Sequence, residues 1–184
     1  TLITSPFADV ASYDWYYTAI QNVYNKGLMN GVTKTVFEPK TNMTRSMLVT
    51  MLYRLAGSPA VTGSVSSIFT DCVDGQWYSS AVLWAYQNKI VEGITATTFS
   101  PDNSLTREEM ATIVYRYAVF KGATVQTDLT LKYSDSASVD DWAKAGVAYC
   151  TAKGLMTGDS ATTFAPDSTA DRAMGATVLT RLAA

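Results

Sequence analysis

Hydrophobic residues recur along this chain in short amphipathic blocks separated by polar, Gly- and Pro-bearing stretches. From Trp15 to Lys26 no Pro or Gly intervenes, and Ala19, Ile20, Val23 and Tyr24 fall on one helical face, which predicts a first helix. Gly27 and Gly31 bracket its end, as a helix stop followed by a tight turn requires. Val32 to Met43 carries Phe37, Pro39 and Asn42, a pattern that blocks continuous helix and predicts an ordered loop pinned by a buried Phe37. Thr44 then fits an N-cap before a second amphipathic block with Leu48, Met51, Leu52 and Leu55, ending near Gly57.

This helix–loop–helix pattern occurs three times. At an offset of 62, Phe7 and Asp9 recur as Phe69 and Asp71, Trp15-Tyr16 as Trp77-Tyr78, Gly31 as Gly93, Phe37 and Pro39 as Phe99 and Pro101, and Thr44-Arg45 as Thr106-Arg107. Tyr133 and Asp135 follow at 64, and Trp142, Gly158, Phe164, Pro166, Arg172 and Arg181 at 65. Copy two puts Lys89 where Gly27 would recur, and its Thr106 with Glu109 makes a full capping-box pattern. The expected organisation is repeat 1 over 1–57, a linker over 58–67, repeat 2 over 68–120, a linker over 121–132 and repeat 3 over 133–184. One helix pair is too small to bury its own apolar face, so the repeats are expected to pack together, all-α for the most part.

Composition narrows the chemistry. The 184 residues are 47% hydrophobic, which excludes wholesale disorder, and the net charge of −2 provides no positive field for nucleic acid or an anionic membrane. There is no His, which removes His-based triads, general bases and metal ligands. No apolar run approaches the ~20 residues of a membrane span. The opening Thr-Leu-Ile-Thr, without Met or a signal sequence, reads as a fragment or processed form. Cys72 and Cys150 match no metal or redox spacing and are either bridged or two buried small hydrophobes. Glu108 and Glu109 are adjacent rather than on one helical face, no phosphate loop or metal motif appears, and an enzyme with catalytic residues or a cofactor is not expected.

Phe-x-Asp, Trp-Tyr, a Gly-rich turn, Phe-x-Pro, Thr-Arg at a helix start and an Arg-containing helix end resemble, in that order, the S-layer homology (SLH) repeat of bacterial surface proteins. Its most diagnostic element is matched by Thr44-Arg45-Ser46-Met47, Thr106-Arg107-Glu108-Glu109 and Asp171-Arg172-Ala173-Met174. The resemblance implies a pseudo-threefold, mostly helical body with ligand grooves between repeats. It also implies extracellular, noncovalent attachment to the cell wall through secondary cell wall polysaccharide, often bearing a pyruvate ketal on N-acetylmannosamine, with no nucleic-acid partner and no membrane insertion.

The residues make physical sense of such a ligand. Arg45, Arg107 and Arg172, next to Thr44, Thr106 and Asp171, are expected beside unpaired helix N–H groups, where a ketal carboxylate is favoured. Trp15, Trp77 and Trp142 are either sugar platforms or core anchors. Asp9, Asp71 and Asp135 either accept hydrogen bonds from the ligand or satisfy backbone N–H groups in turns. Gly31 and Gly93 are expected to allow close backbone approach. Arg54, Arg116 and Arg181 are assigned to the helix dipole, and Trp84 to packing. Arg107→Ala is expected to weaken wall binding more than Arg107→Lys, with neither change unfolding the protein. A site on Arg172 is expected to be the weakest, because Asp171 brings a negative charge and Trp142-Ala143 replaces Trp-Tyr. The competing reading is a helical repeat scaffold that binds protein within a surface array.

Overall fold

The computed structural model describes residues 4–184, so the first three residues of repeat 1 lie outside the described residues. Six α-helices follow in order: α1 (Tyr17–Asn25), α2 (Arg45–Leu55), α3 (Ser79–Gln87), α4 (Arg107–Phe120), α5 (Lys144–Ala152) and α6 (Arg172–Leu182). A 3₁₀ turn covers Ser136–Ser138. The first helix starts two residues later than its hydrophobic pattern suggests, because Trp15 and Tyr16 sit in the entry turn with Tyr16 as N-cap.

The even-numbered helices start as their sequence requires. Thr44 Oγ1 accepts from the Met47 N–H, Asp171 Oδ1 from the Met174 N–H, and Thr106 with Glu109 closes a reciprocal capping box. Gly27 and Gly154 end α1 and α5 with φ near +67° and +66°. Lys89 takes the same left-handed conformation after α3 at φ +59°, which shows that the turn is imposed by its surroundings and tolerates a side chain.

The helices pack across repeats. α2 lies on α3, α4 on α5, and α1 on α6, so the first helix of each repeat pairs with the second helix of another. Gly146 makes the α4–α5 contact close: a Cβ there would stand 2.7 Å from Thr112 Cα. The loops preceding α2, α4 and α6 meet at the centre. There the Met43 N–H bonds to Ala170 O, Ala170 N–H to Leu105 O, and Leu105 N–H to Met43 O, each at 2.9 Å, a set of bonds that returns on itself. Antiparallel bridges Asn42–Asp171, Thr44–Ser104 and Thr106–Thr169 flank it. Met43 is fully buried and its tip fills the space over Gly175 that a side chain would otherwise claim.

Phe37, Phe99 and Phe164 are fully buried, each against the aromatic residue that opens its repeat: Phe7, Phe69 and Tyr133, at 5.2, 5.5 and 5.4 Å between ring centroids. Trp84 is buried among Tyr53, Tyr117 and Phe120. The segments over 58–67 and 121–132 are each tied to a helix, Tyr53 donating to Pro59 O and Tyr115 accepting from the Gln126 N–H.

Cys72 and Cys150 are buried and unbridged. Burial pushes the Cys150 thiol up to about 12; burial, then Asp71 and Asp102, push Cys72 up to about 11. The unfolded thiol titrates at about 8.5. The stability contributed by keeping both thiols protonated is therefore complete below that pH and is lost as pH rises through about 11 to 12. A disulfide dye added at pH 8 should react with neither thiol in native protein and with both in urea; rapid labelling of the native chain would contradict this burial.

Candidate functional site

The repeated residues converge on three grooves, each assembled from all three repeats. One is lined by Arg45 from the start of α2, the Glu92–Gly93 turn, the α4 face carrying Thr112 and Arg116, and Trp142 from before α5. A second is lined by Arg107, the Thr157–Gly158 turn, Thr177 and Arg181 of α6, and Trp15. The third is lined by Arg172, the Asn30–Gly31 turn, Thr50 and Arg54 of α2, and Trp77. Their cavity volumes are about 450, 270 and 580 Å³ in that order.

Each motif arginine spans a boundary between repeats. Arg45 Nε donates to Phe99 O at 2.9 Å and Nη2 to Glu92 O at 3.1 Å. Arg107 does the same to Phe164 O at 2.8 Å and Thr157 O at 2.6 Å, and Arg172 to Phe37 O and Asn30 O, both at 2.8 Å. Each guanidinium lies over the ring of the same Phe, 4.5 to 4.8 Å from its centroid. The arginines are only 6% exposed, and desolvation lowers the pKa of each. Nearby carboxylates oppose that shift, Glu109 foremost for Arg45, Asp159 for Arg107 and Glu38 for Arg172.

The helix starts are not anion sites. Among the first N–H groups of α2, that of Arg45 bonds to Asn103 O, that of Ser46 to Pro101 O and that of Met47 to the Thr44 hydroxyl. In α4, the Arg107 and Glu108 N–H groups bond to Ser168 O and Pro166 O; in α6, those of Arg172 and Ala173 bond to Thr41 O and Pro39 O. The loop of one repeat thus satisfies the orphan donors of another. Thr44 and Thr106 act as caps within this arrangement and line no groove.

The three aspartates are likewise taken up by the backbone. Asp9 accepts from the N–H groups of Phe37 and Glu38, Asp71 from Phe99 and Ser100, and Asp135 from Phe164 and Ala165, at 2.7 to 2.9 Å. Glu38, Ser100 and Ala165 stand at φ of +56° to +58°, directly before a Pro, a position that disfavours left-handed backbone. The carboxylate clamp holds that conformation. Asp9, Asp71 and Asp135 thus satisfy backbone N–H groups, one of the two roles their sequence pattern allowed, and line none of the three grooves. Gly31 and Gly93 do line grooves, but a Cβ on either would collide with carbonyls of its own turn and with the ring of Phe7 or Phe69. Their glycine identity is required by the turn itself.

Trp15, Trp77 and Trp142 are more than half exposed, which removes the core-anchor reading. Trp15 and Trp77 stand edge-to-face on Tyr16 and Tyr78, and Trp142 is steadied by its indole N–H donating to Asp140. Arg54, Arg116 and Arg181, assigned from sequence to the helix dipole, reach the grooves as second arginines. Arg54 and Arg181 donate to Leu28 O and Leu155 O on the way, and Arg116 pairs with Glu92 at 3.8 Å. Their signal in the sequence was recurrence in register with the tryptophans. Asp171 accepts the Met174 N–H as the cap of α6, and Trp142 lines the groove of Arg45, not that of Arg172.

Each groove offers an indole face and two arginines, a combination suited to a ligand with an apolar C–H face and an anionic group. No cluster of His, Cys, Asp and Glu among the described residues could hold a metal, and no helix is long and apolar enough to cross a membrane.

With three equivalent grooves on three repeats, the chain belongs to the S-layer homology domain family, whose pattern matches residues 6–46, 68–111 and 132–173. It is 30% identical over 169 residues to an exoglucanase, XynX, of Acetivibrio thermocellus, a match covering 90% of this chain and 15% of that protein. Similarity to the cellulosome-anchoring protein of the same species is 30% over 156 residues, 83% of this chain and 34% of that one. An S-layer protein of Bacillus thuringiensis subsp. finitimus is 25% identical over 170 residues, 92% of this chain and 20% of that one. The chain thus spans about a third or less of each of these relatives. The family is a cell-surface anchoring module, and its place is the cell surface in association with the wall.

Proposed function

We propose that this chain is a non-enzymatic wall anchor whose grooves bind secondary cell wall polysaccharide through a pyruvate-ketal amino sugar, N-acetylmannosamine being the favoured residue. The observation that carries this reading is the threefold recurrence of one constellation: a motif arginine, a second arginine and an exposed indole, each drawn from a different repeat. An indole face stacks on sugar C–H groups, and a planar guanidinium matches a ketal carboxylate. The reading includes a pseudo-threefold body with repeats at 1–57, 68–120 and 133–184 joined by linkers at 58–67 and 121–132. The cyclic helix pairing and the closed set of central backbone bonds support it. Occurrence within a small part of an exoglucanase and of an S-layer protein suits a module that fastens other domains to the surface.

Purified wall should retain the protein, and wall stripped of its non-peptidoglycan polysaccharide should not. Free pyruvylated N-acetylmannosamine should compete, while the unpyruvylated sugar competes poorly. Retention on stripped wall would favour the protein-scaffold reading, and equal competition by both sugars would remove the carboxylate from the account.

A further inference from the structure

The three grooves share a plan and differ in charge. The Arg45 groove sets two arginines against two carboxylates, Glu92 and Glu109. Glu92 pairs with Arg116 at 3.8 Å, and Glu109 is the foremost carboxylate acting on Arg45. At its rim Trp142 is already bonded to a further carboxylate, Asp140. The Arg107 groove sets two arginines against one carboxylate, Asp159, and at its rim Lys40 Nζ lies over the Trp15 ring, 5.7 Å from its centroid. The Arg172 groove has two arginines and no carboxylate in its lining; Asn30 and Met47 stand where Glu92 and Glu109 stand in the Arg45 groove. Glu38, the acid nearest in effect to Arg172, is on the outer loop and outside that lining.

A second observation singles out the same groove. Thr112 and Thr177 each return their hydroxyl to a backbone carbonyl one turn back, Glu108 O and Ala173 O. Thr50, their counterpart in the Arg172 groove, is 4% exposed and its hydroxyl has no hydrogen-bond partner in the protein. A buried hydroxyl without a partner is costly. This groove is also the roomiest, at about 580 Å³.

We infer that the Arg172 and Arg107 grooves seat the carboxylate-bearing sugar, the roomier Arg172 groove foremost, and that the Arg45 groove takes an uncharged sugar of the same polymer. This rests on the polysaccharide reading above and moves to first place the groove expected from sequence to be weakest.

Each groove carries its own indole, so the three sites are read separately by following the indole N–H resonances of Trp77, Trp15 and Trp142, assigned with single Trp→Phe variants, with buried Trp84 as an internal reference. The probes are the methyl glycosides of N-acetylmannosamine with and without the pyruvate ketal. With the pyruvylated probe the Trp77 midpoint should be about tenfold lower than that of Trp142, as one or two uncompensated charges at groove distances imply. Trp142 should respond alike to both probes. The double variant Glu92→Gln/Glu109→Gln keeps the capping bond of Glu109 yet should tighten the pyruvylated probe at Trp142 by about tenfold, leaving Trp77 unmoved. If Trp142 responds first or with the midpoint of Trp77, or if the double variant changes nothing, the charge assignment is overturned while the polysaccharide reading stands. Silence at all three indoles with both probes would overturn that reading and this one together.

Discussion

Arg107→Ala should destabilise the fold by about 2–4 kcal/mol, an effect on stability that precedes any effect on binding. The guanidinium makes two charge-assisted bonds to Phe164 O and Thr157 O and covers the Phe164 ring. Alanine leaves those carbonyls without that donor in a buried setting and opens a void over a fully buried ring. Release of a desolvated charge with no direct acidic partner offsets part of the loss. Lysine keeps the charge but cannot bond both carbonyls in a plane while stacking on the ring, so Arg107→Lys should fall between wild type and Arg107→Ala. Urea unfolding reads this directly as a lower midpoint at unchanged slope. A midpoint equal to wild type would mean that the two carbonyls are satisfied without the arginine. The sequence-based expectation that Arg107 can be replaced without unfolding placed it at an open helix start; the loop of the next repeat covers that start.

The triple variant Trp15→Ala/Trp77→Ala/Trp142→Ala should reverse the balance, with a small loss of stability and a large loss of wall retention. All three indoles are more than half exposed and contribute little core. Their rings are the aromatic surface in each of the three groove linings, and loss of about 1 kcal/mol of stacking at each is roughly fivefold per site. Because one polymer engages several sites, these factors multiply, and overall retention on wall should fall by about 100-fold. Single variants should each lose only a few-fold. A triple variant that binds wall like wild type, with an unchanged unfolding midpoint, would take the indoles out of the binding surface.

The helices, caps and repeats were legible because they are local. Thr44, Thr106 and Asp171 act within three residues of themselves, and the buried Phe37, Phe99 and Phe164 follow from a polar loop with one large apolar side chain. Joining the repeated residues into sites was not legible. Arg172 meets Phe37 O across 135 positions and Asp9 reaches Phe37 across 28, separations that no periodicity encodes. The aspartates recur because a left-handed residue before proline needs a clamp, and recurrence alone does not separate that need from ligand binding. Arg54, Arg116 and Arg181 recur just as regularly, and only the packing of α2, α4 and α6 reveals that they face the motif arginines across a groove.

Because every groove borrows an arginine from one copy, a turn and helix from a second and an indole from a third, no copy owns a binding site. Loss of a single copy therefore leaves zero whole grooves instead of two, and a lone duplicate adds none. Natural variation within such a chain is confined to exchanging side chains in place: a substitution in one copy retunes one groove through its arginine, another through its turn and the third through its indole. Three like copies are thus tied together, and on the proposed polysaccharide reading the module changes which sugars it prefers far more readily than how many it holds.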